Sequence, residues 1–188
     1  LQVSGPWQVQ FPPDLGAPRR VTFDTLISWP ESETPGIKYF SGTATYSKQI
    51  DLPPDRLEAA DRIVLDLGSV REIAEVSVNG IALGTLWKPP SRVDITDAAK
   101  PGANTLQIQV TNLWPNRLIG DERFPDDCQW SGDSLKQWPE WFINGQPRPA
   151  ERRVAFTTWK HYDEGDALLD SGLLGPVVVR FGRVIPTG

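Results

Sequence analysis

The sequence contains no methionine, a single cysteine (Cys128) and a single histidine (His161). One cysteine cannot form an internal disulfide, and one cysteine with one histidine cannot supply a tetrahedral zinc site. No G-x-S-x-G motif accompanies His161, so a nucleophilic triad is not indicated. We expect Cys128 to behave as a small, partly buried apolar residue, because Asp126 and Asp127 beside it oppose formation of a thiolate.

The sequence also lacks a basic cluster and a long apolar run. Lys and Arg number 19 against 24 Asp and Glu, which gives a formal net charge of −5 at pH 7. An acidic chain without a basic patch beside aromatic residues is a poor match for nucleic acid, and no segment has the roughly 20 apolar residues that cross a bilayer. We therefore expect a soluble monomer with neither a nucleic-acid partner nor a membrane partner.

Proline and glycine, in contrast, are abundant, at 18 and 16 of the 188 residues, and they are spread along the chain. This distribution indicates many turns between short strands. Apolar and polar residues alternate with period two over Thr43–Leu52, Arg62–Gly68, Ala74–Asn79 and Leu106–Thr111, as in strands that bury one face. Asn79-Gly80 predicts a tight hairpin that leads into Ile81–Leu86.

The alternation stops between Leu113 and Arg152, in a stretch rich in Trp, Pro, Asp and Gly. So long a connection is typical of a binding loop or lid, and we expect a short helix within Ser134–Ile143. Arg153–Thr158 and Pro176–Val184 are the last two predicted strands. The pattern predicts one all-β domain over residues 1–188, an antiparallel β-sandwich or jelly roll with a long Trp-rich loop insertion.

The eight tryptophans are the clearest chemical signal. An indole face packs against the C–H face of a sugar ring while nearby polar side chains bind its hydroxyls. One tryptophan alone is more often a core residue, but seven fall at predicted strand ends or in loops: Trp29, Trp87, Trp114, Trp130, Trp138, Trp141 and Trp159. The loop carboxylates match no calcium motif, so no cofactor is required and a structural calcium ion stays open without assigned ligands.

Two segments, TLQIQVTNLWPNRLIGDE (105–122) and SGLLGPVVVRFG (171–182), resemble the jelly-roll sugar-binding domain of family 2 glycoside hydrolases. The sequence is more similar still to the C-terminal domain of large bacterial enzymes related to family 106 α-L-rhamnosidases, and the resemblance covers most of residues 37–181. It implies a galactose-binding-like sandwich, secreted or periplasmic as part of a larger bacterial enzyme, whose acid and base lie on another domain. The start at Leu1 without methionine also fits a piece excised from a longer multidomain protein.

The resemblance also implies where a ligand would lie. In family 2 enzymes the loops that correspond to Trp29–Tyr39 and Trp159–Asp170 lie near the sugar subsite of the neighbouring barrel, and Asn112–Arg117 would meet them at one end of the sandwich. The candidate sugar-binding residues are Trp29, Lys38, Tyr39, Asn112, Trp114, Asn116, Arg117, Trp159, Lys160, His161, Tyr162 and Asp170. For Asn112, Trp114, Asn116 and Arg117 an alternative stays open, in which the cluster caps strand ends and pins the long loop.

Three functions are compatible with this pattern. The first is a noncatalytic carbohydrate-binding module that holds its parent enzyme on plant or microbial polysaccharide or oligosaccharide. The second is a structural β-sandwich that packs on the catalytic domain and binds no sugar by itself. An autonomous glycosidase is the third, and the number of acidic residues alone does not favour it.

Overall fold

The computed structural model describes residues 1–148 and 153–183. Its strands are β1 Trp7–Gln10, β2 Arg20–Phe23, β3 Thr43–Leu52, β4 Arg62–Asp66, β5 Ser69–Arg71, β6 Ile73–Val78, β7 Ile81–Leu86, β8 Arg92–Asp94, β9 Gly102–Thr111, β10 Trp130–Ser131, β11 Ser134–Leu135, β12 Gly172–Gly175 and β13 Val178–Gly182. Four short helices, α1 Pro35–Lys38, α2 Pro54–Glu58, α3 Pro115–Asp121 and α4 Glu140–Ile143, and a 3-10 helix at Trp29–Glu31 complete the described elements. None of these helices is long and apolar enough to cross a membrane.

The strands form an antiparallel sandwich, which confirms the predicted fold class. One layer is a six-stranded sheet in the order β2-β1-β3-β9-β6-β7, and the other contains the sheets β13-β4-β8 and β12-β5. Side chains from both layers join one buried apolar cluster, for example Tyr46 and Ile108 from the large sheet and Leu65 and Val179 from the small one. Antiparallel sheets packed in this way bury one face and leave the other face to water.

The central pair β3 and β9 follows directly from the sequence pattern. Ala44, Tyr46, Ile50 and Leu52 are buried on β3, while Thr45, Ser47, Gln49 and Asp51 alternate with them on the opposite face. All ten residues of β3 pair in register with β9. The predicted hairpin is also confirmed, because Asn79 and Gly80 have φ values of 53° and 82° and join β6 to β7.

One prediction in the second half of the chain was wrong. Arg153–Thr158 is not a strand, because its backbone N–H groups at Val154 and Ala155 donate to the carboxylate of Asp121 and not to a neighbouring strand. The short helix expected within Ser134–Ile143 is present at Glu140–Ile143, and Ser134–Leu135 pairs with Trp130–Ser131. The strand expected at Pro176–Val184 is β13, and Val184 lies outside the described residues.

Candidate functional site

Helix α3 closes one end of the sandwich, and the predicted site residues lie around it. Asn112 follows β9, and both the oxygen and the nitrogen of its side-chain amide form hydrogen bonds inside the protein. Its Oδ1 accepts a hydrogen bond from Gly42 N–H at 2.9 Å, and its Nδ2 donates to Phe40 O at 2.9 Å and to Ser171 Oγ at 3.1 Å. The buried amide therefore joins the segments that precede β3 and β12.

Asn116, in the first turn of α3, makes a similar set of hydrogen bonds. Its Nδ2 donates to Leu169 O at 2.7 Å and to Ser171 Oγ at 3.0 Å, and its Oδ1 accepts from Leu169 N–H at 2.8 Å. Asp170, which is exposed, accepts a hydrogen bond from Ser28 Oγ at 3.2 Å through one carboxylate oxygen. These contacts favour the structural alternative for Asn112 and Asn116, because a sugar would have to displace existing partners.

Arg117 and Asp121 form a buried ion pair on the inner side of α3. Arg117 Nη1 lies 3.4 Å from Asp121 Oδ1, and Arg117 Nη2 donates to Leu15 O at 3.3 Å. Burial raises the pKa of Asp121, although the N–H groups of Val154 and Ala155, at 2.9 and 2.6 Å, and Arg117 act against this rise. The pair ties residues 153–155 to α3 and leaves Arg117 little freedom to bind a ligand.

The expectation for Trp29 is corrected by its position. Its side chain is 0% exposed and its indole Nε1 donates to Tyr46 Oη at 2.6 Å, so it has no face to offer a sugar. Trp7 is also in the core. The exposed tryptophans are Trp87, Trp114, Trp138 and Trp159, while Trp130 and Trp141 are half-buried. The abundance of tryptophan in the sequence therefore partly reflects core packing and not a sugar-binding surface.

Tyr39 borders the larger of the two clefts beside α3, here called the Tyr39 cleft. Its volume is about 530 Å³, and Asp14, Tyr39, Gly120, Arg123 and Phe124 are among its lining residues. Gly120 lets the tyrosine pack tightly on α3, since a Cβ atom built there would lie 2.5 Å from the Tyr39 Cβ. The Arg123 guanidinium stands 4.7 Å from the centre of the Tyr39 ring, and the Lys38 Nζ stands 5.8 Å from it.

The segment Trp159–Tyr162 borders a second, much smaller cleft on the other side of α3, together with Leu118. Its volume is about 20 Å³, which is room for about one water molecule. Lys160 is engaged by Asp126 at 2.9 Å and lies 5.2 Å from the Trp130 ring. This cleft is too small for a sugar ring, and none of Asn112–Arg117 lines it. The contact between Asn112–Arg117 and the predicted loop Trp159–Asp170 is instead the pair of hydrogen bonds between Asn116 and Leu169.

Two residues of the Tyr39 cleft, Asp14 and Arg123, were absent from the candidates derived from sequence. Arg123 stands among acidic residues in the run Asp121–Asp127, which gives no sign of its proximity to Tyr39. Asp14 belongs to the connection between β1 and β2, more than one hundred residues away in sequence. Neither residue therefore has a local sequence pattern that indicates the cleft.

The Trp-rich insertion contains an aromatic cluster of its own. Phe142 stacks on both Trp138 and Phe156, with ring centres 5.2 and 4.9 Å apart. In the same insertion, Cys128 is half-buried, and burial together with the neighbouring Asp127 raises the pKa of its thiol to about 11. No group of three or more His, Cys, Asp or Glu residues within 1–148 and 153–183 is arranged to hold a metal ion.

Known proteins share this fold and sequence pattern. Residues 29–174 match the family model described as glycosyl hydrolase 2 galactose-binding domain-like. A protein of Formosa agariphila named "Putative beta-glucuronidase" is 50% identical over 179 residues, which is 95% of this chain and 15% of that protein. The structure of a rhamnosidase from Novosphingobium sp. PP1Y matches with a TM-score of 0.76 and 37% identity, over 95% of this chain and 14% of that one.

A more distant likeness concerns the fold alone. The β-glucuronidase from Ruminococcus gnavus in complex with D-glucuronic acid has a TM-score of 0.51 and 22% identity, over 60% of this chain and 22% of that chain. In each of these matches the chain spans less than a quarter of the relative's length. The matched region is therefore one domain within much larger proteins.

Proposed function

Because this chain belongs to the glycosyl hydrolase 2 galactose-binding domain-like family, we propose that it is a noncatalytic carbohydrate-binding module of a larger bacterial glycoside hydrolase. The observation on which the proposal rests is the Tyr39 cleft. Its volume of about 530 Å³ falls in the range of small-molecule sites, about 300–1,000 Å³. The cleft combines two aromatic side chains, Tyr39 and Phe124, with the Arg123 cation and the Asp14 carboxylate, which suits a polyhydroxylated ring.

Each lining group has a role in this proposal. The Tyr39 side chain presents an aromatic surface to the C–H groups of a sugar, while the Arg123 guanidinium donates hydrogen bonds to hydroxyl oxygens. The Asp14 carboxylate accepts hydrogen bonds from hydroxyl groups. Trp114, which is 60% exposed, and Trp159 would extend contact to further sugar units along a polysaccharide. Lys160, His161, Tyr162 and Asp170 stay candidates for that extension.

The cleft offers little support for an autonomous glycosidase. Glycoside hydrolysis uses two carboxyl groups on opposite sides of the scissile bond. Asp14 is the one carboxylate among the described residues that line the Tyr39 cleft. Catalysis is accordingly assigned to another part of the parent enzyme, which we expect to be secreted or periplasmic.

A second candidate function is packing on the catalytic domain without independent sugar binding. Leu113, Trp114 and Leu169 are 51, 60 and 46% exposed, and Asn116 holds Leu169 beside α3. Large exposed apolar side chains that are grouped on a surface are typical of an interface. The homologous enzymes are several times longer than this chain, so they have further domains that could cover these residues.

Affinity gel electrophoresis of the isolated chain on a panel of plant and microbial polysaccharides separates the two candidates. Retardation by at least one polymer is expected, and Tyr39→Ala should weaken it at least tenfold, which corresponds to about 1.4 kcal/mol. Trp87→Ala is the matched control, because Trp87 is 73% exposed and does not line the cleft. Absence of retardation by any polymer would contradict carbohydrate binding and favour the packing function.

The same gels locate the extended contact. If Trp114 and Trp159 stack on further sugar units, Trp114→Ala and Trp159→Ala should each weaken retention more than tenfold. Unchanged retention in both folded variants would restrict the binding surface to the Tyr39 cleft. Weaker retention of Trp114→Ala alone would place the contact with further sugar units beside α3.

A further inference from the structure

The charge around the Tyr39 cleft differs from the charge of the whole chain. The chain has a formal net charge of −5, yet two cations, Lys38 and Arg123, converge on one tyrosine ring. Arg117, the other cation that lines the cleft with Arg123, is compensated by Asp121. Asp14 is the remaining charged lining residue within the described ranges. Lys38 does not line the cleft but lies over the Tyr39 ring, so two cations without a salt-bridge partner among the described residues, Lys38 and Arg123, stand near this ring with one carboxylate.

The Arg123 guanidinium is positioned by aromatic rings. It lies 4.7 Å from the centre of the Tyr39 ring and 6.0 Å from the centre of the Phe124 ring. Within residues 1–148 and 153–183 neither Arg123 nor Lys38 takes part in a salt bridge, in contrast to Arg117, Arg153 and Lys160 around the same helix. A guanidinium held by stacking keeps its N–H donors available to a ligand.

An anionic group suits these donors better than a neutral hydroxyl. Arg binds carboxylates and related oxyanions with two parallel N–H···O bonds, and such charge-assisted bonds are about twice as strong as neutral ones. The Lys38 ammonium lies over the same ring and adds a second positive charge. Asp14 would face the hydroxyl groups of the ligand, because like charge keeps it away from the anion.

We propose that the Tyr39 cleft selects an acidic sugar, one that bears a carboxylate or a sulfate group, and that Arg123 binds the anionic group while Lys38, beside the same ring, adds positive charge. This inference rests on the carbohydrate-binding function proposed for the same cleft and narrows its ligand class. Both anions share the negative oxygen atoms that the two cations recognise. The acidic polymer that retains the protein shows whether the recognised group is a carboxylate or a sulfate.

The test compares three polymers in affinity gels: polygalacturonate, which carries carboxylates, carrageenan, which carries sulfates, and galactomannan, which is neutral. Retention by at least one acidic polymer is expected, with at least tenfold weaker retention by galactomannan. Arg123→Gln and Lys38→Gln should each weaken retention by the acidic polymer about tenfold. Raising the salt from about 0.05 to about 0.5 M should also weaken it, because ions screen exposed charges.

Lys88→Gln and Lys100→Gln are matched controls, since both lysines are exposed and neither lines the cleft. If these controls lose as much retention as Arg123→Gln, binding reflects diffuse charge and the inference is wrong. Equal or stronger retention by galactomannan, with Tyr39→Ala still impaired, would overturn the acidic preference while leaving carbohydrate binding intact. If none of the three polymers and no polymer of the wider panel retains the protein, the proposed function is contradicted as well. Thermal unfolding of each variant verifies that it is folded.

Discussion

The indole Nε1 of Trp29 donates a hydrogen bond to the Tyr46 hydroxyl over 2.6 Å, in the core between the two layers of the sandwich. Leu173 N–H donates to the same oxygen at 3.2 Å, and burial raises the pKa of Tyr46 to about 12. Gly172 makes this approach possible, because a Cβ atom there would lie 2.6 Å from the Trp29 Nε1. The hydroxyl therefore links β3, the 3-10 helix and β12.

Tyr46→Phe should destabilise the fold by about 2 kcal/mol, because two buried N–H donors lose their acceptor. Urea denaturation followed by tryptophan fluorescence measures the change. Tyr162→Phe is the control, since the Tyr162 hydroxyl makes no hydrogen bond within the described ranges. A free energy of unfolding that stays within about 0.5 kcal/mol of wild type would mean that water or a backbone shift replaces the lost acceptor.

Asp66 joins all three strands of the small sheet. Its side chain on β4 lies 2.8 Å from Arg92 on β8 and 3.0 Å from Arg180 on β13. Burial acts to raise its carboxyl pKa, but hydrogen bonds from Gly68 N–H and from the two arginines outweigh burial and hold the pKa below its usual value. The folded state consequently binds the Asp66 proton less tightly than the unfolded state does.

The stability contributed by Asp66 is thus complete above the unfolded pKa of about 3.9 and is lost as the pH falls through the lower folded value. Asp66→Asn should lower the free energy of unfolding at neutral pH and make it less sensitive to acid between about pH 5 and about pH 2. Denaturation curves across this range measure both effects. Glu164→Gln, at an exposed loop position, is the control and should show the wild-type dependence of the free energy of unfolding on pH. If Asp66→Asn and wild type show the same dependence, Asp66 does not contribute this acid-sensitive stability.

Cys128 should be an unreactive thiol in the folded protein. With a pKa of about 11, raised by burial and by Asp127, only about one thiol in a thousand is ionised at pH 8. Labelling with iodoacetamide at pH 8 should therefore be much slower in the folded chain than in about 6 M guanidinium chloride, and it should accelerate as the pH is raised. Equal labelling rates in the two conditions would show that Asp127 and burial do not protect the thiol.

The strands of the sandwich could be predicted from the sequence, because each pattern has a local cause. Tyr46 and Ile50 alternate with polar residues on β3 since one face of that strand is buried, and Asn79-Gly80 adopts the positive φ angles that its residues favour. Arg153–Thr158 could not be predicted correctly in the same way. Its backbone N–H groups bind Asp121, and this partner is more than thirty residues away.

The candidate site was harder to predict for a similar reason. Trp29 lies beside Pro30 in a segment whose sequence suggests an exposed loop. Its hydrogen bonds with Tyr46 and Ser171 and its ring contacts with Phe11 and Phe40 place it in the core, and all four partners are distant in sequence or belong to other elements. The Tyr39 cleft combines Asp14, Tyr39 and Arg123 from three separate segments. Tyr39 was found because of its place in a loop that the family resemblance indicated, whereas the other two have no distinctive local pattern.

Gly120→Ala should impair the Tyr39 cleft more than it impairs the fold. The new methyl group would stand 2.5 Å from the Tyr39 Cβ, so the tyrosine and the Arg123 guanidinium stacked on it have to move. We expect at least tenfold weaker retention by the polysaccharide that binds the wild-type chain, with a loss of stability of about 1–3 kcal/mol from overpacking. Gly165→Ala is the control, because Gly165 has no neighbouring atom within 4 Å of its virtual Cβ. Retention is compared at a temperature well below the unfolding transition of both variants, and wild-type retention by Gly120→Ala would place the ligand away from Tyr39.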